Sequence, residues 1–199
     1  MLYVAGDSVD RSATPLRVAA ELYRANPIQN FDTAALRVDI AGGAELLFLV
    51  THAGQAVHHP TYRFEFENAV VESADVPDAQ IIATFKDGRT KTYGTPATDY
   101  RDGKFWGTLA AIKENRPTVC GIEAATPHCQ VVWACHRASE SIKTFPADVV
   151  YVEPHNTGRN TRVKGLDDTL LACFEQGKLP SELGVAWAVK PQTVNVEPV

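Results

Sequence analysis

The sequence predicts an α+β fold with a large, open, mostly antiparallel sheet and helices packed on one face. Patterns typical of β-hairpins fill the first half of the chain, and patterns typical of amphipathic helices follow them. One hairpin pattern covers residues 33–53 around Gly42-Gly43, and another covers residues 81–93 around Asp87-Gly88. Because the hairpins come first and the helices later, we expect neighbouring strands to pair with one another and the helices to pack on the resulting sheet.

The second arm of the first hairpin, Leu46 to Val50, is apolar at every position. A strand without alternation has both faces buried, which predicts a central position in a sheet covered on both sides. The predicted helices can cover only one of these faces. We therefore expect a second copy of the chain to cover the other face, so that the protein forms a homo-oligomer through its sheet.

The other strand-like segments are less uniform. Residues 16–25 fit a helix and a strand equally well, and Asn26-Pro27 ends either one. Residues 62–67 alternate, with three aromatic side chains on one face and three charged ones on the other. The pair Asp87-Gly88 predicts a type I′ turn, in which both central residues have positive φ.

Three later segments have the spacing of amphipathic helices. Their stripes are Phe105, Leu109 and Ile112; His128, Val131, Val132 and Cys135; and Leu166, Thr169, Leu170 and Cys173. Pro127 is expected near the first turn of the second helix. Asp167 and Asp168 suit the first turn of the third helix, and Gly177 suits the position just past its end.

Composition argues against several classes of function. The net charge is −5 and the basic residues are scattered, so we expect no nucleic-acid partner. No window holds the ~18 apolar residues of a membrane span, so we expect no membrane partner. The N-terminus lacks a secretory signal pattern, and a cytoplasmic location is expected. The four cysteines are too few for a disulfide scaffold and are expected to be reduced thiols.

Six segments in a fixed order, spread over nearly the whole chain, carry a family resemblance. They are residues 1–6, 21–28, 32–37, 50–53, 119–128 and 179–187, including Glu21-Leu22-Tyr23-Arg24-Ala25-Asn26-Pro27-Ile28. In this order they resemble the glucose–fructose oxidoreductase, inositol dehydrogenase and MocA family. The resemblance implies a C-terminal domain whose open sheet forms one wall of a sugar or polyol pocket and pairs with another subunit. It also implies an NAD or NADP cofactor, held in the family by an N-terminal nucleotide-binding domain.

The sequence departs from the family in one large respect. No glycine-rich turn follows a strand and opens a helix, which is the arrangement that holds a dinucleotide pyrophosphate. Met1 to Gly6 has the pattern of a last helical turn with a glycine C-cap, and the resemblance makes it the remnant of the inter-domain helix that carries the family's catalytic histidine. We therefore expect residues 1–199 to form a single, truncated substrate-binding and oligomerisation domain, with no catalytic residue and no bound cofactor of its own.

Five polar residues are the candidate substrate ligands. Thr51 and His52 stand where an apolar strand ends, and Arg24, Asn26 and Asp32 bracket a loop that contains a proline. A buried sugar hydroxyl needs hydrogen-bond partners, and polar groups at such positions can provide them. The alternatives are a strand-end histidine that bonds to backbone and an Asp–Arg pair that orders the loop.

No metal site is predicted. Cys120, His128, Cys129, Cys135 and His136 are residue types that bind zinc, but they lack the close pairs of a structural zinc site. Cys135 shares a stripe with two valines, which indicates a core residue.

Two other functions stay open at this point. One is a self-standing, non-catalytic module that dimerises through its sheet. The other is a small hydrolase or isomerase that uses His52 with Asp32.

Overall fold

The structure is a computed structural model that describes residues 1–8, 10–95, 100–155 and 158–197. It has an α+β architecture with open, mostly antiparallel sheets, as the sequence predicts. The chain divides into two compact units, residues 1–55 with 119–199 and residues 56–118. The single domain over residues 1–199 stays a prediction. Within the described residues no helix is long and apolar enough to cross a membrane.

In chain order the strands are β1 (Pro15–Arg24), β2 (Thr33–Ile40), β3 (Glu45–Thr51), β4 (Tyr62–Glu65), β5 (Ala69–Ser73), β6 (Ile82–Phe85), β7 (Thr90–Thr92), β8 (Lys143–Thr144), β9 (Val150–His155), β10 (Gly158–Val163) and β11 (Thr193–Asn195). The helices are α1 (Tyr100–Lys113), α2 (Ile122–Ala138) and α3 (Leu166–Gln176), and a 3-10 helix covers Pro180–Leu183.

The main sheet of the first unit has the order β11-β1-β2-β3, and β8 pairs in parallel with β1 beside β11. The ambiguous segment around residues 16–25 is therefore a strand. The predicted hairpin of β2 and β3 is confirmed, with Arg37 opposite Leu47 and Thr33 opposite Thr51. Helix α2 packs on one face of this sheet, where its buried residues meet apolar side chains of the strands. This core comprises Val18, Ala20, Leu22, Ala34, Val38, Ile40, Leu46, Val131, Ala134, Cys135 and Ala138.

The position predicted for β3 is wrong. β3 lies at the edge of the described sheet, and its Phe48 is 44% exposed. The opposite face of β1 and β2 is covered by the chain itself, because residues 177–189 bond to Glu21, Tyr23 and Arg37 there. A partner sheet is therefore not needed to cover this face of β1 and β2. Homo-oligomerisation stays a prediction.

Several local predictions have mixed outcomes. The hairpin of β6 and β7 is present, but only Gly88 of its turn has positive φ, so the type I′ prediction is wrong. Helix α2 begins at Ile122, which puts Pro127 beyond the first turn. Asp167 and Asp168 lie in the first turn of helix α3, and Gly177 follows its last residue in the left-handed conformation, as predicted.

The N-terminal residues form one helical turn, in which the N–H of Ala5 bonds to the carbonyl of Met1 at 3.0 Å. Gly6 does not have the positive φ of a glycine C-cap. Its need for glycine has another cause, because a Cβ at this position would lie 1.8 Å from the carbonyl oxygen of Arg11. The close approach of two backbone segments excludes any side chain there.

The second unit contains a four-stranded antiparallel meander, β4-β5-β6-β7, and helix α1. The predicted strand at residues 62–67 is confirmed as β4 and pairs with β5. Helix α1 forms as predicted, yet its apolar stripe is largely exposed, with Phe105 at 59% and Ile112 at 71%.

Candidate substrate site

The five candidate residues lie at one end of the main sheet. β1 and β3 run in the same direction and β2 runs in the opposite one, so the ends of β1 and β3 meet the start of β2. Arg24 ends β1, Asn26 follows it and Asp32 precedes β2. Thr51 ends β3, and His52 follows it directly. The tertiary structure thus brings together residues 24–32 and residues 51–52, which β2 and β3 separate in sequence.

Asp32 is buried, and its carboxylate orders the loop between β1 and β2. It accepts hydrogen bonds from the N–H of Ala25, from the N–H of Asn26 and from Nδ2 of Asn26, the last at 2.8 Å. The hydroxyl of Thr33 also donates to it. A carboxylate with this many donors is engaged within the protein. Asp32 and Asn26 therefore shape the site, and their polar groups bond mainly to each other.

Arg24 holds the same loop from the other side. Its Nη1 donates to the carbonyls of Ile28 at 2.9 Å and Gln29 at 3.3 Å, and its Nε donates to Oγ1 of Thr144. Arg24 does not pair with Asp32 in this arrangement. The alternative of an Asp–Arg pair therefore does not hold. Arg24 and Asp32 stabilise the same loop through separate hydrogen bonds.

Thr51 joins β3 to its neighbour and to the following turn. Its Oγ1 lies 2.8 Å from Oγ1 of Thr33 and accepts a hydrogen bond from the N–H of Ala53 at 2.9 Å. Both contacts use the hydroxyl of Thr51, and together they fix the direction of the chain at His52.

His52 differs from the other four residues because its side chain is exposed. Its backbone N–H donates to the carbonyl of Asp32 at 2.8 Å, which fixes the main chain. Within the described residues no hydrogen bond engages its imidazole nitrogens. The alternative of a strand-end histidine that bonds to backbone describes the N–H of His52 and not its imidazole.

The loop after His52 is held by three further contacts. The carbonyl of Ala53 accepts a hydrogen bond from the N–H of Val163 at 2.9 Å. Arg162 donates to the carbonyl of Gly54, and the N–H of Gln55 donates to Asp167 at 2.8 Å. The free imidazole is thus carried on a backbone fixed on both sides, which limits the conformational entropy that binding would cost.

Sequence reasoning missed a second polar group in the same sheet. Glu21 is only 2% exposed, and its carboxylate accepts hydrogen bonds from Tyr23 Oη at 2.5 Å and from the N–H and Oγ of Ser181 at 3.1 and 2.6 Å. The phenol oxygen of Tyr23 accepts the N–H of Val189 at 3.0 Å. The polar residue inside the strongly apolar strand β1 was the available signal for this buried network.

Burial dominates the electrostatics of this network. It raises the pKa of the Tyr23 phenol far above the usual range, and the hydrogen bond to Glu21 adds to that shift. Burial also raises the pKa of the Cys173 thiol to about 11, with a smaller contribution from Glu21. Both groups are therefore protonated at neutral pH, which suits a structural role better than a nucleophilic one.

The paired glycines of this chain do not form the pyrophosphate site of a dinucleotide-binding fold. The paired glycines Gly42-Gly43 lie in the β2–β3 turn and precede a strand, whereas a pyrophosphate site needs a glycine-rich turn that opens a helix. Among the described residues no three His, Cys, Asp or Glu side chains gather as a metal site. Cys135 is buried in the core, as its stripe predicted.

The fold is shared with solved oxidoreductases. A UDP-N-acetylglucosamine 3-dehydrogenase, GnnA, from Acidithiobacillus ferrooxidans matches 64% of this chain and 41% of its own, with a TM-score of 0.54 and 14% identity. An oxidoreductase from Agrobacterium radiobacter, solved with NAD+, L-tartaric acid and magnesium, matches 64% and 42%, with a TM-score of 0.52 and 14% identity. An aldose-aldose oxidoreductase from Caulobacter crescentus, complexed with glycerol, matches 64% and 40%, with a TM-score of 0.50 and 15% identity.

The chain has the fold of one part of these oxidoreductases. It spans about two fifths of the length of each, and the family resemblance in the sequence is confirmed at the level of the fold. No family model matches the sequence, and no curated protein matches it either.

Proposed function

We propose that this chain is the substrate-binding part of an NAD- or NADP-dependent sugar or polyol oxidoreductase and does not catalyse by itself. The exposed imidazole of His52, carried on a fixed loop at the end of the main sheet, is the observation that supports this most directly. A neutral imidazole has one donor and one acceptor, which is what a sugar hydroxyl needs. The fold shared with a UDP-N-acetylglucosamine 3-dehydrogenase and an aldose-aldose oxidoreductase supports a sugar or polyol as the substrate class.

The other four candidates have a positioning role in this proposal. Asn26 and Asp32 shape the loop beside the site, Arg24 ties that loop to its carbonyls, and Thr51 sets the direction of the chain before His52. Their polar groups are already engaged, so a substrate hydroxyl would gain less from them than from His52. The cofactor belongs to a part of the intact protein outside these residues.

The hydrolase or isomerase alternative receives less support. It needs His52 and Asp32 to act as a pair, and the carboxylate of Asp32 bonds instead to the loop of Ala25 and Asn26. The bond between the two residues joins the N–H of His52 to the backbone carbonyl of Asp32.

The proposal is tested by titrating the isotope-labelled chain with glycerol, glucose and myo-inositol while the His52 imidazole is followed by NMR. We expect saturable shifts of the His52 ring with at least one of these compounds, and at least tenfold weaker binding, about 1.4 kcal/mol, in His52→Ala. His128→Ala is the matched control, because His128 is also exposed but lies on α2. Equal affinity in the two variants, or micromolar binding of NADH by the chain alone, would overturn the proposal.

A further inference from the structure

The edge of β1 that faces β8 and β11 contains a gap. β11 pairs with β1 up to Ala19, and β8 pairs with it from Tyr23 onward. Residues 20–22 therefore have no strand partner on this edge, although all three are buried. A gap that is closed at both ends by paired strands is too short for an added peptide strand.

The strand geometry fixes which backbone groups point into this gap. The carbonyls of Leu16 and Arg24 accept hydrogen bonds from the β11 and β8 side, whereas the carbonyl of Tyr23 accepts one from the β2 side. Because successive residues alternate, the carbonyl of Ala20 and the N–H of Leu22 face the gap. Buried backbone groups are almost always paired, so these two need a partner from outside the ladder.

A cavity of about 260 Å³ lies at this position. Its wall combines residues of β1, the end of α2, Lys143 and the segment before β11; the polar side chains are Glu21, Tyr23, Ser139, Glu140, Lys143, Lys190 and Gln192. Glu140 and Lys190 are exposed, so the cavity is accessible from solvent. The volume is several times the ~30 Å³ that one water molecule occupies in the liquid.

The charges around the cavity balance. The lining contains the acidic residues Glu21 and Glu140 and the basic residues Lys143 and Lys190, and three of these four side chains have partners within the protein. Glu21 bonds to Ser181, Glu140 accepts a hydrogen bond from Gln192, and Lys143 donates to Ser141. A neutral ligand therefore fits the cavity better than an ion of either sign.

We propose that this cavity is a second ligand site, separate from His52, that takes a small neutral polyol. The N–H of Leu22 donates to one hydroxyl of the ligand, and the carbonyl of Ala20 accepts from another. A molecule that carries several hydroxyls can satisfy a buried donor and a buried acceptor together, which a carboxylate cannot do.

The test follows the Leu22 amide by NMR during titration of the whole chain with erythritol, with succinate as the anionic probe. We expect a saturable shift of the Leu22 amide and slower hydrogen exchange with erythritol, and at least fivefold weaker binding of succinate. Gln192→Trp and Lys190→Trp place a large side chain in the cavity wall and should each weaken erythritol binding at least tenfold. Asn195→Trp, on the neighbouring strand β11, is the control and should leave it unchanged.

Other outcomes of the same experiment would contradict the proposal. A linear, non-saturating shift would show that water fills the gap. Full protection of the Leu22 amide without ligand would show that the protein itself pairs with this amide. Either result would overturn the proposal. Tighter binding of succinate would contradict the ligand class. His52→Ala should leave the Leu22 response unchanged, so this result is independent of the function proposed above.

Discussion

Glu21 is a buried side chain that connects β1 with a distant segment of the chain. Its carboxyl group has three donors and almost no contact with solvent, so its polar atoms are satisfied by hydrogen bonds within the protein. Two of those donors belong to Ser181, which is 160 residues away. This residue therefore fixes the C-terminal segment on the sheet.

Substituting Glu21→Ala removes the acceptor and leaves the donors of Tyr23 and Ser181 buried. We expect the free energy of unfolding to fall by about 3 kcal/mol, the upper range for stranding buried polar groups. Urea unfolding monitored by circular dichroism measures this change. Glu175→Ala, on the exposed part of α3, should change stability by less than ~0.5 kcal/mol. Equal effects of the two substitutions would contradict the role of the network.

At the scale of elements, the 3-10 helix is attached to β2 by an ion pair. Arg37 donates to both carboxylate oxygens of Glu182, at 2.5 and 2.8 Å, and to the carbonyl of Gly177 at 2.9 Å. The Arg37 hydrogen bonds lower the pKa of the Glu182 carboxyl below its usual value, and the N–H of Leu179 contributes to the same shift. The folded state thus favours the ionised form of Glu182.

This shift predicts a pH dependence. Since the pKa of Glu182 is lower in the folded than in the unfolded chain, its contribution to stability is complete above the unfolded pKa and is lost as pH falls through the folded pKa. Glu182 is 38% exposed, so the contribution is expected to stay below ~1 kcal/mol. Between pH 7 and pH 3 the free energy of unfolding should decrease less for Glu182→Gln than for the unchanged chain. Equal decreases would contradict the prediction.

At the scale of the whole molecule, the C-terminal residues complete the second face of the main sheet. Trp187 packs edge-on against Tyr23 and Phe145, with ring centroids 4.9 and 5.0 Å apart. Tyr23 lies in the middle of this cluster and also bonds to Val189. The chain thus covers this face of β1 and β2 with its own residues 177–189, whereas the sequence predicted a second copy as the cover of the sheet.

We expect the protein to lose stability when this cover is weakened. Trp187→Ala deletes the largest side chain of the cluster, and we expect a loss of about 3 kcal/mol in the free energy of unfolding, at the lower end for truncating a buried aromatic. Trp133→Ala is the matched control, because Trp133 is 75% exposed on α2. Thermal and urea unfolding of the two variants measure the difference. A loss below ~1 kcal/mol in Trp187→Ala would show that the cover adds little stability.

Local pattern was enough for several elements of this protein, but not for β1, whose sequence fits a helix and a strand equally well. The turn at Gly42-Gly43 and its flanking arms predicted β2 and β3, and the stripe with Gly177 predicted α3 and its end. These features depend on neighbouring residues only, because turns, caps and side-chain periodicity act over a few positions. The segments that resemble the oxidoreductase family predicted the fold that this chain shares with the solved structures.

Only the tertiary structure decided how distant residues meet. An apolar run such as Leu46 to Val50 reports burial but cannot say which segment provides it, so the sequence left open whether the cover came from a partner or from the same chain. The pairing of Glu21 with Ser181 and the gap between β11 and β8 also follow from contacts across more than a hundred residues. The sequence by itself determined that His52 directly follows a strand. The tertiary structure decided that its imidazole is exposed and that its backbone is fixed, because Asp32 and Val163 lie beside residues 52 and 53 and bond to them.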